Sequence, residues 1–179
     1  MSNPVSTNSL LARHATYLST HQPFPTFAEL GAQGKIGHLA VVTCADPRCI
    51  PENFLGIQPG EVIVFRNAGG NIQMALPSIL AADALLGTNE VLVIKHTDYG
   101  SLAYTEKGVK YALKERAPGR EKEIDEMELG NIAGKNLEQG LTEQMAVVNG
   151  SDLVREEMTG GIGAFVHDLV SGSMTDVEV

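Results

Sequence analysis

Apolar positions along this chain fall into two patterns. Three runs are continuously or almost continuously apolar: Leu39-Ala40-Val41-Val42-Thr43, Val62-Ile63-Val64-Phe65 and Val91-Leu92-Val93-Ile94. A strand with one wet face alternates apolar and polar residues, whereas a continuous run belongs to a parallel strand covered on both faces. The second pattern has the helical period. Leu10, Leu11, His14, Ala15 and Leu18 share one face and predict an amphipathic helix over 9–20. A helix from about Ala75 to Leu86 separates the second and third runs, with Pro77 in its first turn and Gly87 as its stop. Another runs from about Leu102 to Arg116, and Leu137, Leu141 and Met145 form the stripe of a helix over 137–148.

The segments between these elements are equally informative. His21 to Pro25 contains two prolines and reads as an extended arm, with Phe24 and Phe27 available for packing. The charged stretch from Pro118 to Glu128 reads as a solvated loop or a short helix. Ile162–Val170 and Met174–Val179 flank Ser171-Gly172-Ser173 and read as a terminal hairpin. The order is α/β: a central, mostly parallel sheet flanked by helices, preceded by an N-terminal helical arm. Residues 1–179 suit a single domain, in which the helix and arm of residues 1–30 pack either on their own domain or on a neighbouring subunit.

Composition narrows the function classes. The chain is 43% hydrophobic and 20% charged, enough apolar matter for a proper core. A formal charge of −9 with no basic stripe argues against nucleic acid and against anionic membranes. Asp83, Lys95 and Asp98 interrupt the longest apolar stretches before they reach bilayer length. Met1 to Asn8 lacks the basic and apolar blocks of a signal peptide, and Arg13 is the one arginine before Arg48. The expectation is a soluble cytoplasmic protein. Cys44 and Cys49 do not make a disulfide framework.

The candidate chemistry sits just after the three strands. Parallel sheets bind ligands beyond the carboxyl ends of their strands. Cys44-Ala45-Asp46-Pro47-Arg48 follows the first run, Arg66-Asn67-Ala68-Gly69-Gly70 the second, and His96-Thr97-Asp98-Tyr99-Gly100 the third. All three loops should open on one edge of the sheet. Thiolate, imidazole and carboxylate are zinc ligands, so Cys44 and His96 form a natural pair that Asp46 can reach from the same loop. Arg48 can hold Asp46 in a two-pronged ion pair and, by releasing it, let it close a metal position. The plainer alternatives are a small buried cysteine, a structural Asp46–Arg48 pair, and a redox role for Cys44. Cys49 reads as core, and His14, His21, His38 and His167 as ordinary surface or half-buried residues. Gly69-Gly70 and Gly160-Gly161-Ile162-Gly163 lack the Lys-Ser/Thr pair of a phosphate loop.

These three motifs, in this order and spacing, resemble the β-class carbonic anhydrase family. The resemblance extends over nearly the whole chain, including the N-terminal helix and Phe165-Val166-His167-Asp168-Leu169-Val170-Ser171-Gly172. It implies a zinc cofactor held by Cys44 and His96, with Asp46 and Arg48 as the catalytic dyad. It also implies reversible hydration of CO2 to bicarbonate and a homodimer or higher homo-oligomer whose N-terminal helix lies across the partner. The family includes relatives that hydrolyse carbonyl sulfide or carbon disulfide.

The departure is Tyr99, which stands where the family pattern has its third ligand, a cysteine. A tyrosine oxygen lies several ångströms farther from the backbone than a cysteine sulfur and should overshoot the metal. Zinc on Cys44 and His96 alone carries a net charge of +1, which should pull Asp46 onto it. The expected metal set is therefore Cys44, Asp46 and His96, with weakened CO2 hydration. The alternatives are a carbonyl sulfide or carbon disulfide hydrolase, and a catalytically silent scaffold or anion sensor.

Overall fold

Every continuous apolar run forms a strand of one sheet. The computed structural model describes residues 5–34, 36–98, 105–129 and 136–178. Its strands are β1 (Leu39–Cys44), β2 (Ile63–Asn67), β3 (Glu90–His96), β4 (Ile162–His167) and β5 (Met174–Asp176), in the order β2-β1-β3-β4-β5. The first four are mutually parallel, and β5 pairs antiparallel with β4 at the edge. The helices are α1 (Thr7–Leu18), α2 (Phe27–Ala32), α3 (Pro51–Phe54), α4 (Ile72–Leu86), α5 (Glu106–Arg116), α6 (Glu121–Glu126), α7 (Leu137–Asn149) and α8 (Glu156–Thr159).

Side chains alternate between the faces of each strand. On one face the register neighbours Val42, Val93 and Ala164 pack against Ile72 and Ile79 of α4 and Leu141, Met145 and Val148 of α7. Burying a side chain such as Ile79 or Leu141 contributes about 1.5–3 kcal/mol, so a one-residue slip that exposed this set would be very unfavourable. On the other face Val41, Thr43, Ile94 and His96 are also fully buried. Towards the start of the strands that second face opens into a groove of about 380 Å³ lined by Leu39, Leu92, Ile162, Gly163 and Phe165.

Several boundaries differ from the sequence expectation for identifiable reasons. Helix α1 starts two residues early because Ser6 and Ser9 form a reciprocal cap. Helix α4 begins at Ile72, so Pro77 lies inside it rather than in its first turn. Its start is set by Asn71, whose side chain accepts from the Met74 amide at 3.2 Å, and by Gln144, which accepts from the Ile72 amide at 3.2 Å. Gly87 ends the helix in the left-handed conformation (φ 71°), as expected. Helix α5 begins at Glu106 behind a Thr105 cap, and the expected start at Leu102 lies outside the described residues. The charged stretch contains α6. The hairpin strands are shorter than expected because Asp168 captures the Val170 and Ser171 amides at 2.9 and 2.6 Å and turns the chain.

The N-terminal arm behaves differently from the rest. Neither α1 nor α2 has a buried residue. The arm folds back on α1 locally, through Tyr17 Oη to His21 Nδ1 at 2.7 Å and an edge contact between His21 and Phe24. His167, read from sequence as surface or half-buried, is buried and stacks on Phe54 with ring centroids 4.1 Å apart.

An ion pair ties α4 to the start of α8. The Arg155 guanidinium straddles the Asp83 carboxylate at 2.5 to 3.1 Å and also reaches Asn89 Oδ1 at 3.1 Å. Arg155 holds the Asp83 carboxyl below its ordinary value. A depressed carboxyl stabilises the fold above its unfolded pKa of about 3.9, and that contribution fades as pH falls through the folded value. Arg155→Met should therefore melt at a lower temperature than the parent at pH 7, with the gap narrowing at pH 2.5. A gap that is constant with pH would show that the ion pair is not its source.

Candidate functional site

The three loops expected to converge do converge. Cys44 pairs with Asn67 across β1 and β2, and Thr43 pairs with Ile94 across β1 and β3, so all three carboxyl ends meet at one edge. Cys44 is buried and His96 has no exposed surface. The loop after β3 is tied to the end of β4: the Thr97 amide donates to His167 O at 3.0 Å, and the Leu169 amide to Thr97 Oγ1 at 3.0 Å. His96 Nδ1 donates to Thr97 O at 2.7 Å, which sets the tautomer and leaves Nε2 as the ring's acceptor nitrogen. That Nε2 lies 3.9 Å from Asp46 Oδ2.

Asp46 and Arg48 form the expected pair. Asp46 Oδ1 accepts from the Arg48 amide at 2.9 Å and from Nε at 3.0 Å, and Oδ2 accepts from Nη2 at 2.8 Å. This bonding drives the Asp46 carboxyl far below its ordinary range and raises the guanidinium. Sequence reasoning missed a second carboxylate on the same arginine. Arg48 Nη1 donates to Asp98 Oδ2 at 2.5 Å and Nη2 to Asp98 O at 3.1 Å. Asp98 has a φ of 51°, in the left-handed region that few residues other than glycine adopt, and Arg48 secures that turn.

Charges around the thiol are coupled. Burial pushes the Cys44 thiol up, but contact with His96 and the amides of Asp46 and Gly69 outweighs it, so its pKa is lowered. The Asp46 amide reaches the sulfur at 3.3 Å. Burial likewise depresses His96, but Cys44 and the Thr97 carbonyl outweigh it and its pKa is raised. Cys49 behaves as the core residue expected. It is fully buried beside Thr43 Oγ1 at 3.2 Å, and burial pushes its thiol up.

Beneath these groups lies a polar floor. Arg66 gathers three carbonyls of the first loop, Cys44 O at 3.2 Å, Asp46 O at 2.8 Å and Cys49 O at 2.7 Å. Asn67 closes the second loop by exchanging bonds with the Asn71 backbone at 2.6 and 2.9 Å. Lys95, buried inside β3, donates to Gly69 O at 2.5 Å, Gly70 O at 2.9 Å and Gln144 Oε1 at 3.2 Å. Burial lowers its pKa to about 8, against the pull of Cys44. From sequence, Lys95 stood out only as a break in an apolar run, and Gln144 not at all. The available signal was a charge at the end of an apolar run, which must find partners if both faces are covered.

The donor types fit zinc in part. Thiol and imidazole are zinc ligands, and two ligands on one tetrahedral zinc lie about 3.4 Å apart, close to the Asp46 to His96 separation. Yet among the described residues no group of three or more His, Cys, Asp and Glu is arranged to close on a metal ion. Both Asp46 oxygens are engaged by Arg48. Tyr99, read from the sequence as standing where a third ligand is expected, lies outside the described residues.

The family model for carbonic anhydrase matches residues 39–173. The chain belongs to the β-carbonic anhydrase family. It is 38% identical over 79 residues to a protein of Mycobacterium tuberculosis named beta-carbonic anhydrase 1, a match covering 44% of this chain and 48% of the relative. It is also 38% identical over 89 residues to a carbon disulfide hydrolase of an Acidianus species, covering 49% of this chain and 44% of the relative. The matched stretch thus spans about half the length of these curated relatives. Among solved structures, a carbonic anhydrase from Glaciozyma antarctica superposes with a TM-score of 0.79 at 26% identity, over 96% of this chain and 98% of that one. One from Streptococcus mutans gives 0.78 at 23% identity, over 99% and 100%, which shows the shared fold. As a family member the chain has homologues that are enzymes of the carbonic anhydrase or hydrolase kind. No helix among the described residues is long and apolar enough to cross a membrane.

Proposed function

We propose that this protein catalyses zinc-dependent reversible hydration of CO2 to bicarbonate, at a rate weakened by the residue at position 99. The observation that carries the proposal is the juxtaposition of Cys44, His96, Asp46 and Arg48 at one sheet edge, with His96 Nε2 and Asp46 Oδ2 3.9 Å apart. Cys44 and His96 would hold the metal, and Asp46 would complete the set on leaving Arg48. Zinc in such a setting supplies a water activated near neutral pH.

The chain's own residues do the rest. Arg48 keeps Asp46 ionised and aimed, so its oxygen accepts a hydrogen bond from the reacting water and orients it. The imidazole tautomer is held by Thr97, and burial of Cys44 and His96 keeps bulk water from them. Asp46 cannot orient water and complete a metal set at the same moment. With Tyr99 in place of a cysteine, one carboxylate carries both roles, and that conflict is the reason for the expected low rate.

Elemental analysis and stopped-flow CO2 hydration test this reading, with carbon disulfide and carbonyl sulfide as alternative substrates. The expected result is substoichiometric zinc, slow CO2 hydration, and higher zinc retention in Tyr99→Cys. Full zinc with fast rates would remove the missing-ligand account. Turnover of a sulfur substrate alone would reassign the reaction.

The N-terminal arm supports a homodimer. Leu10, Leu11, Leu18, Phe24 and Phe27 are all more than half exposed, and the sheet groove lined by Leu92 and Phe165 is open. Deleting residues 1–26 removes no buried side chain among the described residues. Light scattering should find a dimer or larger for the full chain and a smaller assembly for the deletion. A monomeric full chain would refute the arm's role.

A further inference from the structure

Lys95 sits where an apolar residue would be the cheaper choice. Burying an ammonium is unfavourable unless each of its donors finds an acceptor. Here Nζ has three partners, Gly69 O, Gly70 O and Gln144 Oε1, and none of them is a carboxylate. The lysine therefore makes a fully bonded clamp with no salt bridge to offset its desolvation, and such groups are weak sources of stability. What the clamp grips is specific. A Cβ on Gly70 would lie 2.8 Å from Thr43 C and 2.9 Å from Cys44 N, so this turn rests directly on the backbone that carries the thiol. The Gly69 amide is among the groups that favour the Cys44 thiolate. Gln144 also accepts from the Ile72 amide, so the clamp joins α7 and the start of α4 to the same point.

We propose that Lys95 is a positioning residue for Cys44: by locking the Gly69–Gly70 turn to Gln144, it fixes the floor that sets the thiol against the His96 imidazole. Lys95 touches neither substrate nor metal in this role and acts through the turn. The zinc part of its test rests on the reading of Cys44 as a metal-holding thiolate; the clamp itself does not.

The test uses Lys95→Met in the full chain, in two measurements. In metal-free protein, amide hydrogen exchange followed by NMR should accelerate tenfold or more at Gly69 and Gly70, with Val93 in β3 within twofold of the parent. Zinc affinity, measured by competition with a chromophoric chelator, should weaken tenfold or more. Unchanged exchange at Gly69 and Gly70 overturns the proposal, as does uniform acceleration that includes Val93, because a plain core residue would give either result. Faster exchange with unchanged zinc affinity also overturns it, since the turn would then not position the thiol. If the parent chain takes up no zinc, the metal reading fails and the exchange data alone decide the clamp. Should Lys95→Met not fold, Gln144→Leu supplies the same reading, with an expected threefold acceleration at Gly69 and Gly70; no change there overturns the proposal.

Discussion

Gly70→Ala is expected to lower folding stability by about 4 kcal/mol, from overpacking of about 1–3 and left-handed strain of about 1–2. The residue has a φ of 55°, and an added Cβ would meet backbone atoms of Thr43 and Cys44 at 2.8 to 3.0 Å. Those atoms belong to β1, paired on both sides, and cannot step back without breaking the ladder. Against a typical total of about 5–15 kcal/mol, such a loss threatens soluble expression. Urea unfolding measures it. Gly56→Ala is the matched control: φ is 65° there, but nothing lies within 4 Å of the added carbon. It should show only the strain, about 1–2 kcal/mol. Equal losses in the two variants would mean that close approach to β1 is irrelevant.

The second large effect concerns the metal. Cys44→Ser is expected to reduce zinc affinity at least a hundredfold, because a hydroxyl is a far poorer zinc ligand than the thiolate that His96 and the Gly69 and Asp46 amides favour. Fold should persist, since serine is close in size and the Cys44 backbone is paired. Cys49→Ser should leave zinc affinity within threefold, because Cys49 faces Thr43 Oγ1 in the core. Equilibrium dialysis against a competing chelator separates the two cysteines. Retention of zinc by Cys44→Ser, or its loss on changing Cys49 alone, would place the metal elsewhere.

Much of this molecule was legible in the order of its residues. Continuous runs such as Val91-Leu92-Val93-Ile94 marked strands covered on both faces, and Gly87 marked a helix end in the left-handed conformation. Local patterns work there because their causes are local: alternation of faces, a helical period, a missing Cβ. The start of α4 was misplaced because only part of its cause is local. Asn71 caps it, but Gln144 arrives from 72 residues away, and Pro77 suggested a later first turn. His167 was misread because its burial depends on Phe54, far off in sequence.

The site divides in the same way. Cys44, Asp46, Arg48 and His96 could be named from sequence because each lies at or just past the end of a recognisable strand, and parallel strands of similar length deliver their ends to one edge. Residue types and loop order therefore determined which chemistry meets, and they placed the chain in its family. Tertiary structure alone decided the state of that chemistry. It gave Arg48 a second carboxylate in Asp98 and placed the buried Lys95 ammonium under the Gly69–Gly70 turn. The physical reason is directional. Hydrogen bonds and charges depend on distances of a few ångströms between groups remote in sequence, which periodicity does not encode, whereas burial of a face needs only the right pattern of apolar residues.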